Sequence, residues 1–222
     1  MILRFLGQSG YVLQSGESRI VIDPYLSDSV NRVAGRPRAL PIPMRPQDII
    51  CDAVICTHNH LDHLDPDTVQ LIHDGQFFIT TQEGKEQLKS MKKTNVQALS
   101  VGESVQVGEF QITAVYANHT VEAFGLIVRA EGETLYFSGD TLYDERLFEI
   151  ADYHPDVTCI CINGKLGNMT VDEALMVAKR IGAKTNIPNH YDMFLSNSEN
   201  PLLFTQNIDG GRILNFNEEY EL

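Results

Sequence analysis

Apolar and polar positions change period repeatedly along this chain. Leu3–Leu6, Tyr11–Gln14 and Arg19–Ile22 are short apolar runs separated by Gly7-Gln8-Ser9-Gly10 and Ser15-Gly16-Glu17-Ser18, which predicts three strands joined by tight turns. Asp23-Pro24 ends the third run. Ala53–Cys56 and Phe77–Thr80 predict buried strands, with helices over Asp67–His73 and Gln82–Lys93 around the second. The second half repeats the style. Val105–Val107 and Phe110–Tyr116 predict a hairpin across Gly108-Glu109, and Leu126–Arg129 and Thr134–Phe137 another across Glu131-Gly132. Val157–Ile162 predicts a further buried strand.

The clearest helix is Val171–Ile181. Val171, Ala174, Leu175, Ala178 and Ile181 share one face, Thr170 and Glu173 form a capping box, and Gly182 supplies the stop. Strands are followed by helices in each half with no linker between, so the pattern predicts a single α/β domain over residues 1–222.

Composition agrees with a globular chain, at 43% hydrophobic and 21% charged residues. A formal net charge of −13 disfavours nucleic acid as a partner, because a polyanion meets repulsion over most of the surface. No apolar run approaches the ~20 residues of a membrane span. Met1–Gly7 reads as a first strand rather than as an export signal, so a cytoplasmic location is expected. Cys51, Cys56, Cys159 and Cys161 lie on or beside strand-like segments and read as buried free thiols.

Chemistry concentrates at Thr57-His58-Asn59-His60-Leu61-Asp62-His63, directly after the strand Ala53–Cys56. Three imidazoles and a carboxylate within six residues suit zinc, manganese or iron, and the lack of a nearby cysteine disfavours a structural thiolate site. His58 and His60, two apart in extended chain, point the same way and can share an ion. Asp62 and His63 follow where the loop turns and can reach a second.

Three more candidates follow other strands: His119 after Phe110–Tyr116, Asp140 after Thr134–Phe137, and His190 after the apolar run Asn186–Pro188. Loops at strand ends are where α/β folds assemble their sites. His73 and His154 lack such a setting and are set aside. Ligand counting gives His58, His60 and His119 to one ion and Asp62, His63 and His190 to the other, with Asp140 as bridge. Room then remains for a shared water, as in a catalytic site.

This ordered set resembles the metallo-β-lactamase superfamily, whose signature is T-H-x-H-x-D-H followed by a distal His, an Asp and a last His. Within it the likeness is nearest to the L-ascorbate-6-phosphate lactonase group and related small metal-dependent hydrolases. It is carried by Leu6–Tyr11, Ile22–Ser29, Ser138–Thr141, Gly167–Thr170 and Pro188–Phe194. The resemblance implies a four-layer αββα sandwich, two mixed sheets flanked by helices, with two divalent metal ions at its edge. Zinc or manganese is expected, with iron admissible. It also implies a homo-oligomer. Only Lys165 and Leu166 stand where the lactonase group carries extra sequence between Asn163-Gly164 and Gly167-Asn168, which leaves the lactone itself open.

The expected activity is attack of a hydroxide, activated by both ions, on a small lactone or ester that a phosphate could decorate, with Asp62 orienting that hydroxide. The segment from Asn31 to Gln47, with four prolines, four arginines and no acidic residue, is read as a loop. Arg36, Arg38 and Arg45 on it, with Lys165 and Tyr191, are candidate substrate contacts, since arginine forks suit phosphate. A phosphodiesterase or small-nucleotide hydrolase is the alternative, and a non-catalytic metal-dependent binding domain the third.

Overall fold

The computed structural model describes residues 1–222. The first sheet begins with β1 (Ile2–Gly7), β2 (Gly10–Ser15) and β3 (Ser18–Ile22), an antiparallel meander. Three parallel strands extend it: β4 (Ala53–Ile55), β5 (Phe78–Thr80) and β6 (Val96–Ala98). The second sheet starts as a meander of β7 (Ser104–Val107), β8 (Phe110–Val115), β9 (Gly125–Ala130) and β10 (Glu133–Phe137). β11 (Val157–Cys161) and β12 (Thr185–Asn189) then add in parallel. A last strand, β13 (Glu219–Glu221), returns to pair antiparallel with β1. Both sheets are therefore mixed.

Alternation of side chains explains the layers. In β3 and β4, Ile20, Ile22, Ala53 and Ile55 face the second sheet, whereas Val21 and Val54 face outward into a smaller apolar cluster. That cluster is covered by α2 (Pro66–Leu71) and α3 (Gln82–Ser90) through Val69, Ile72 and Leu88. On the far side, α4 (Val171–Ile181) lays Ala174, Leu175, Ala178 and Ile181 over the second sheet. The result is the expected αββα sandwich. Each fully buried Leu or Ile in it contributes about 1.5–3 kcal/mol, and Leu3, Leu13, Ile20 and Ile112 are all 0% exposed.

Several expectations needed adjustment. The capping box at Thr170 and Glu173 and the left-handed stop at Gly182 are present. α2 starts one residue early, at Pro66, because the Asp65 side chain caps it by accepting from the Asp67 amide. The segment read as loop from Asn31 contains most of α1 (Ser29–Ala34), closed by Gly35 in the left-handed region. A 3₁₀ segment over Glu145–Tyr153, the short α5 (Leu202–Thr205) and the edge strands β6 and β13 were not foreseen. The four cysteines are free, three of them buried. No helix is long and apolar enough to cross a membrane.

Strand direction places the site. β10, β11 and β12 run parallel, and β8 is antiparallel to β9, which is antiparallel to β10. The carboxyl ends of β8, β10 and β12 therefore emerge at one end of the second sheet. The loop after β4 meets them there, since Phe124 N donates to the Thr57 carbonyl and His190 N donates to the Gln8 carbonyl in the β1–β2 turn.

Candidate metal centre

All seven expected ligand residues converge at that edge in two groups. His58, His60, His119 and Asp140 form one, and Asp62, His63 and His190 the other; within each group the ligand atoms lie within 4.8 Å of one another. His60 Nδ1 stands 3.1 Å from His58 Nε2 and 3.1 Å from His119 Nε2. Three ring nitrogens crowding one point are poor hydrogen-bond partners for each other. Their spacing is close to the ~3.3 Å edge of a tetrahedron with metal–nitrogen bonds of about 2.0–2.1 Å.

Asp140 stands between the groups. Its Oδ1 lies 3.2 Å from His63 Nε2 and 3.1 Å from His190 Nε2, while Oδ2 is 3.9 Å from His119 Nε2. Asp62 Oδ2 is 3.6 Å from His190 Nε2 and 3.8 Å from His63 Nε2. His63 Nε2 and Asp140 Oδ1 are buried with no hydrogen-bond partner. With its Nδ1 proton donated to Asp23, His63 turns Nε2 to Asp140 Oδ1 across 3.2 Å, so two acceptors face each other unless a proton or a metal ion lies between them. Buried polar atoms left so are rare and costly, and a cation between them resolves the conflict. The residues present thus fit divalent metal.

Other residues set the rings. Asp23, just past β3, is held at φ +44° and takes hydrogen bonds from the Thr57 amide at 2.7 Å and the Thr57 hydroxyl at 2.8 Å. Its Oδ2 also accepts from His63 Nδ1 at 2.8 Å, which fixes that tautomer. His58 Nδ1 lies 3.1 Å from Thr57 Oγ1. His119 Nδ1 is held 3.0 Å from the Gly167 carbonyl. Gly167 has φ +93°, and a Cβ there would sit 2.8 Å from His119 Cε1, so glycine is required for the approach. Gly139, before Asp140, has φ +55° and packs against Thr57. His190 itself is at φ +64°. Gln8 Nε2 donates to Asp62 Oδ2 at 2.7 Å and lies 3.0 Å from His190 Nε2.

Gln8, Asp23, Thr57 and Gly167 were not among the expected site residues. The sequence marks their segments without giving them a role: Gln8, Asp23 and Gly167 lie in stretches that carry the resemblance, and Thr57 opens the T-H-x-H-x-D-H signature.

The electrostatics differ between the groups. Burial, reinforced by neighbouring imidazoles such as His63, holds the pKa of His58 well below the usual histidine value and also depresses that of His60. Burial likewise lowers His119, against the pull of Asp140. At His63 burial also opposes protonation, but Asp140, Asp23 and Asp62 override it and raise its pKa well above normal. Asp140 is desolvated too, yet His190 and His63 keep it well below the carboxylate range. Surroundings that attract a proton to His63 attract a cation equally.

A cleft of about 460 Å³ opens over both groups. It is lined by His60, Asp62, Asp140 and His190, by Arg36, Thr120, Gly167 and Asn197, and by Val30, Ala34, Leu61, Leu166 and Phe194. Of the expected substrate contacts, Arg36 alone is in it. Arg38 is turned inward, its guanidinium donating to the carbonyls of Leu40, Tyr25, Ser27 and Pro41. Arg45 forks onto Asp48 at the surface. Tyr191 is buried beside Phe5, in the wall of a different groove. Lys165 is exposed in a depression with α4 residues. His73 and His154 are exposed and stand outside both groups. Asn197, not foreseen, accepts from Asn163 Nδ2 at 3.1 Å.

Residues 18–191 match the sequence family described as the Beta-lactamase superfamily domain. A UPF0173 metal-dependent hydrolase of Oenococcus oeni is 27% identical over 241 residues, covering 100% of both chains. Another, of Methanoregula boonei, is 30% identical over 205 residues, covering 86% of this chain and 82% of its own. Among solved structures, the metallo hydrolase Igni18 of Ignicoccus hospitalis superposes with a TM-score of 0.81 at 21% identity, covering 100% of this chain and 98% of its own. An isothiocyanate hydrolase from Delia radicum gut bacteria gives 0.83 at 21% identity, covering 100% and 99%. With the family matched over most of its length and the histidine and aspartate groups assembled at the sandwich edge, the chain belongs to the metallo-β-lactamase superfamily, as one of its metal-dependent hydrolases.

Proposed function

We propose that the chain hydrolyses a small lactone or ester, phosphorylated or not, and that the two histidine groups, with Asp140 between them, would hold two divalent ions, zinc or manganese. The observation that carries this is the placement of Asp140, whose two oxygens face different groups beneath one open cleft. Divalent ions there supply Lewis acidity, acidifying water and polarising the substrate's oxygen.

The chain's own residues supply the rest. Gln8 engages Asp62 Oδ2, which leaves Oδ1 to accept a proton from water in the cleft. That assigns Asp62 the orienting role. The Lys165 carbonyl accepts from Asn163 Nδ2, which fixes that amide; Asn163 Nδ2 then also meets Asn197 Oδ1. The Nδ2 of Asn197 is thereby left as a donor to the substrate's carbonyl oxygen or leaving group. A phosphodiester is the second electrophile to test, since paired ions serve in-line displacement as well.

The test combines elemental analysis with turnover. Purified protein should hold two metal equivalents and hydrolyse sugar-acid lactones, lactone phosphates or aryl esters, with activity lost in His60→Ala. Turnover of a phosphodiester alone would overturn the carbonyl assignment. Two bound metals with no turnover of any probe would favour a binding domain.

A further inference from the structure

The cleft has an uneven wall. Its volume of about 460 Å³ equals roughly fifteen waters at ~30 Å³ each, enough for a substrate with a sizeable body beyond its reacting group. Away from the histidine and aspartate groups one side of the lining is hydrocarbon: Val30, Leu61, Leu166 and Phe194. Val30 and Phe194 belong to a small buried core with Tyr25 and Met193, and Leu61 packs against it, so this side is fixed by packing. Leu166 faces it from the other half of the molecule. It is 56% exposed and held at φ +54°, a conformation uncommon outside glycine and asparagine. Strained backbone thus carries an apolar side chain to the rim. Thr120 and Asn197 are polar members of the lining, but the hydrocarbon side offers no partner to sugar hydroxyls laid against it, whereas hydrocarbon placed there gains by leaving water.

One charge stands apart. Arg32 pairs with Asp67, Arg45 with Asp48, and Arg38 is saturated by backbone carbonyls. Arg36 is half-buried on the cleft and has no ion-pair or hydrogen-bond partner. Its fork offers several donors to an incoming anion.

We propose that the cleft selects an amphipathic acyl compound: an ester or lactone whose hydrocarbon part lies against Val30, Leu61, Leu166 and Phe194 and whose single anionic group is taken by Arg36. This rests on the hydrolytic assignment of the same cleft and narrows its substrate from a polar sugar derivative to a lipophilic acid. Carboxylate and phosphate share the chemistry Arg36 recognises, and the probes separate them.

Calorimetry on the metal-loaded protein, repeated after chelation, would compare 4-phenylbutyrate, phenyl phosphate, 4-phenylbutanol and glucose 6-phosphate. At least one aryl anion should bind tenfold or more tightly than both the alcohol and the sugar phosphate, and the tighter aryl anion identifies the charged group. Arg36→Met should abolish the advantage over the alcohol. Leu166→Asn, which tolerates the left-handed backbone, should weaken the aryl probes several-fold and leave glucose 6-phosphate unchanged. Equal binding of acid and alcohol, glucose 6-phosphate matching phenyl phosphate, or an unaltered anion preference in Arg36→Met would overturn the proposal. Turnover keeps the two assignments apart. Ester hydrolysis with no preference for an apolar anion sinks the substrate class alone. Arg36-dependent binding without metal-dependent turnover sinks the hydrolytic assignment and leaves the binding preference standing.

Discussion

The two histidine groups share Asp140 and a cleft, yet they are built from different surroundings. His58, His60 and His119 are steered by neutral atoms, the Thr57 hydroxyl and the Gly167 carbonyl. Asp62, His63 and His190 sit among formal charge: Asp62 is itself a ligand candidate, and Asp23 holds His63 from behind. Burial dominates the first group and keeps its imidazoles unprotonated. Carboxylates dominate the second and make His63 basic despite complete burial. The first group is a pre-formed set of lone pairs, and the second is an electrostatic well that must exchange a proton for a metal.

Removing what the groups share should erase the contrast and gives the largest effect. Asp140→Ala takes away one ligand candidate facing both groups, and with several kcal/mol of charge stabilisation at stake kcat/KM should fall by on the order of 10³. Elemental analysis should find both metal equivalents depleted. Loss of one equivalent only would mean that Asp140 serves a single group.

Next comes the charged partner behind His63. Asp23→Asn keeps the shape and removes the charge, and changes of this kind typically cost about 10–100-fold in metal affinity. The loss should fall on one metal equivalent, read by competition with a chromophoric chelator. Equal weakening of both would dissolve the distinction between a neutral and a charged group. The corresponding probe of the neutral group is Gly167→Ala, whose new methyl would press on the His119 ring and strain a backbone at φ +93°. About a tenfold weakening of the other equivalent is expected, at the low end for an orienting contact.

How much of this was legible follows from what kind of interaction each residue makes. The convergence of the candidate ligands could be read because His58, His60, Asp62 and His63 are neighbours in sequence and because His119, Asp140 and His190 each follow a strand. The orienting residues could not be assigned, since their roles exist only across the fold: Gln8 meets His190 over 182 positions and Asp23 meets His63 over 40. The layers were legible where alternation is strong, as in β3. They were not at β6 and β13, three-residue edge strands with no fully buried side chain, held by main-chain pairing. The arginine segment illustrates the limit of composition. Arg36, Arg38 and Arg45 are candidate anion contacts by composition, but Asp48 claims Arg45 and carbonyls such as that of Leu40 claim Arg38.

The smallest expected signal is a count of protons, and it tests the contrast most directly. In the metal-free protein near neutral pH, His58, His60 and His119 have lowered pKa values and carry no proton to lose on binding. His63 has a raised pKa, so it is protonated there and must release that proton when a metal takes its Nε2. Through His63, metal uptake should therefore release one proton with the equivalent lost in Asp23→Asn, beyond the proton that metal-bound water gives up. The apparent affinity of that equivalent should rise with pH up to the pKa of His63, while that of the other stays level until acid reaches the depressed pKa values of the first group. Calorimetric titration in buffers of different ionisation enthalpy reads the number directly. Protons released equally by both equivalents would show that the two groups, for all their different partners, meet metal with the same electrostatics.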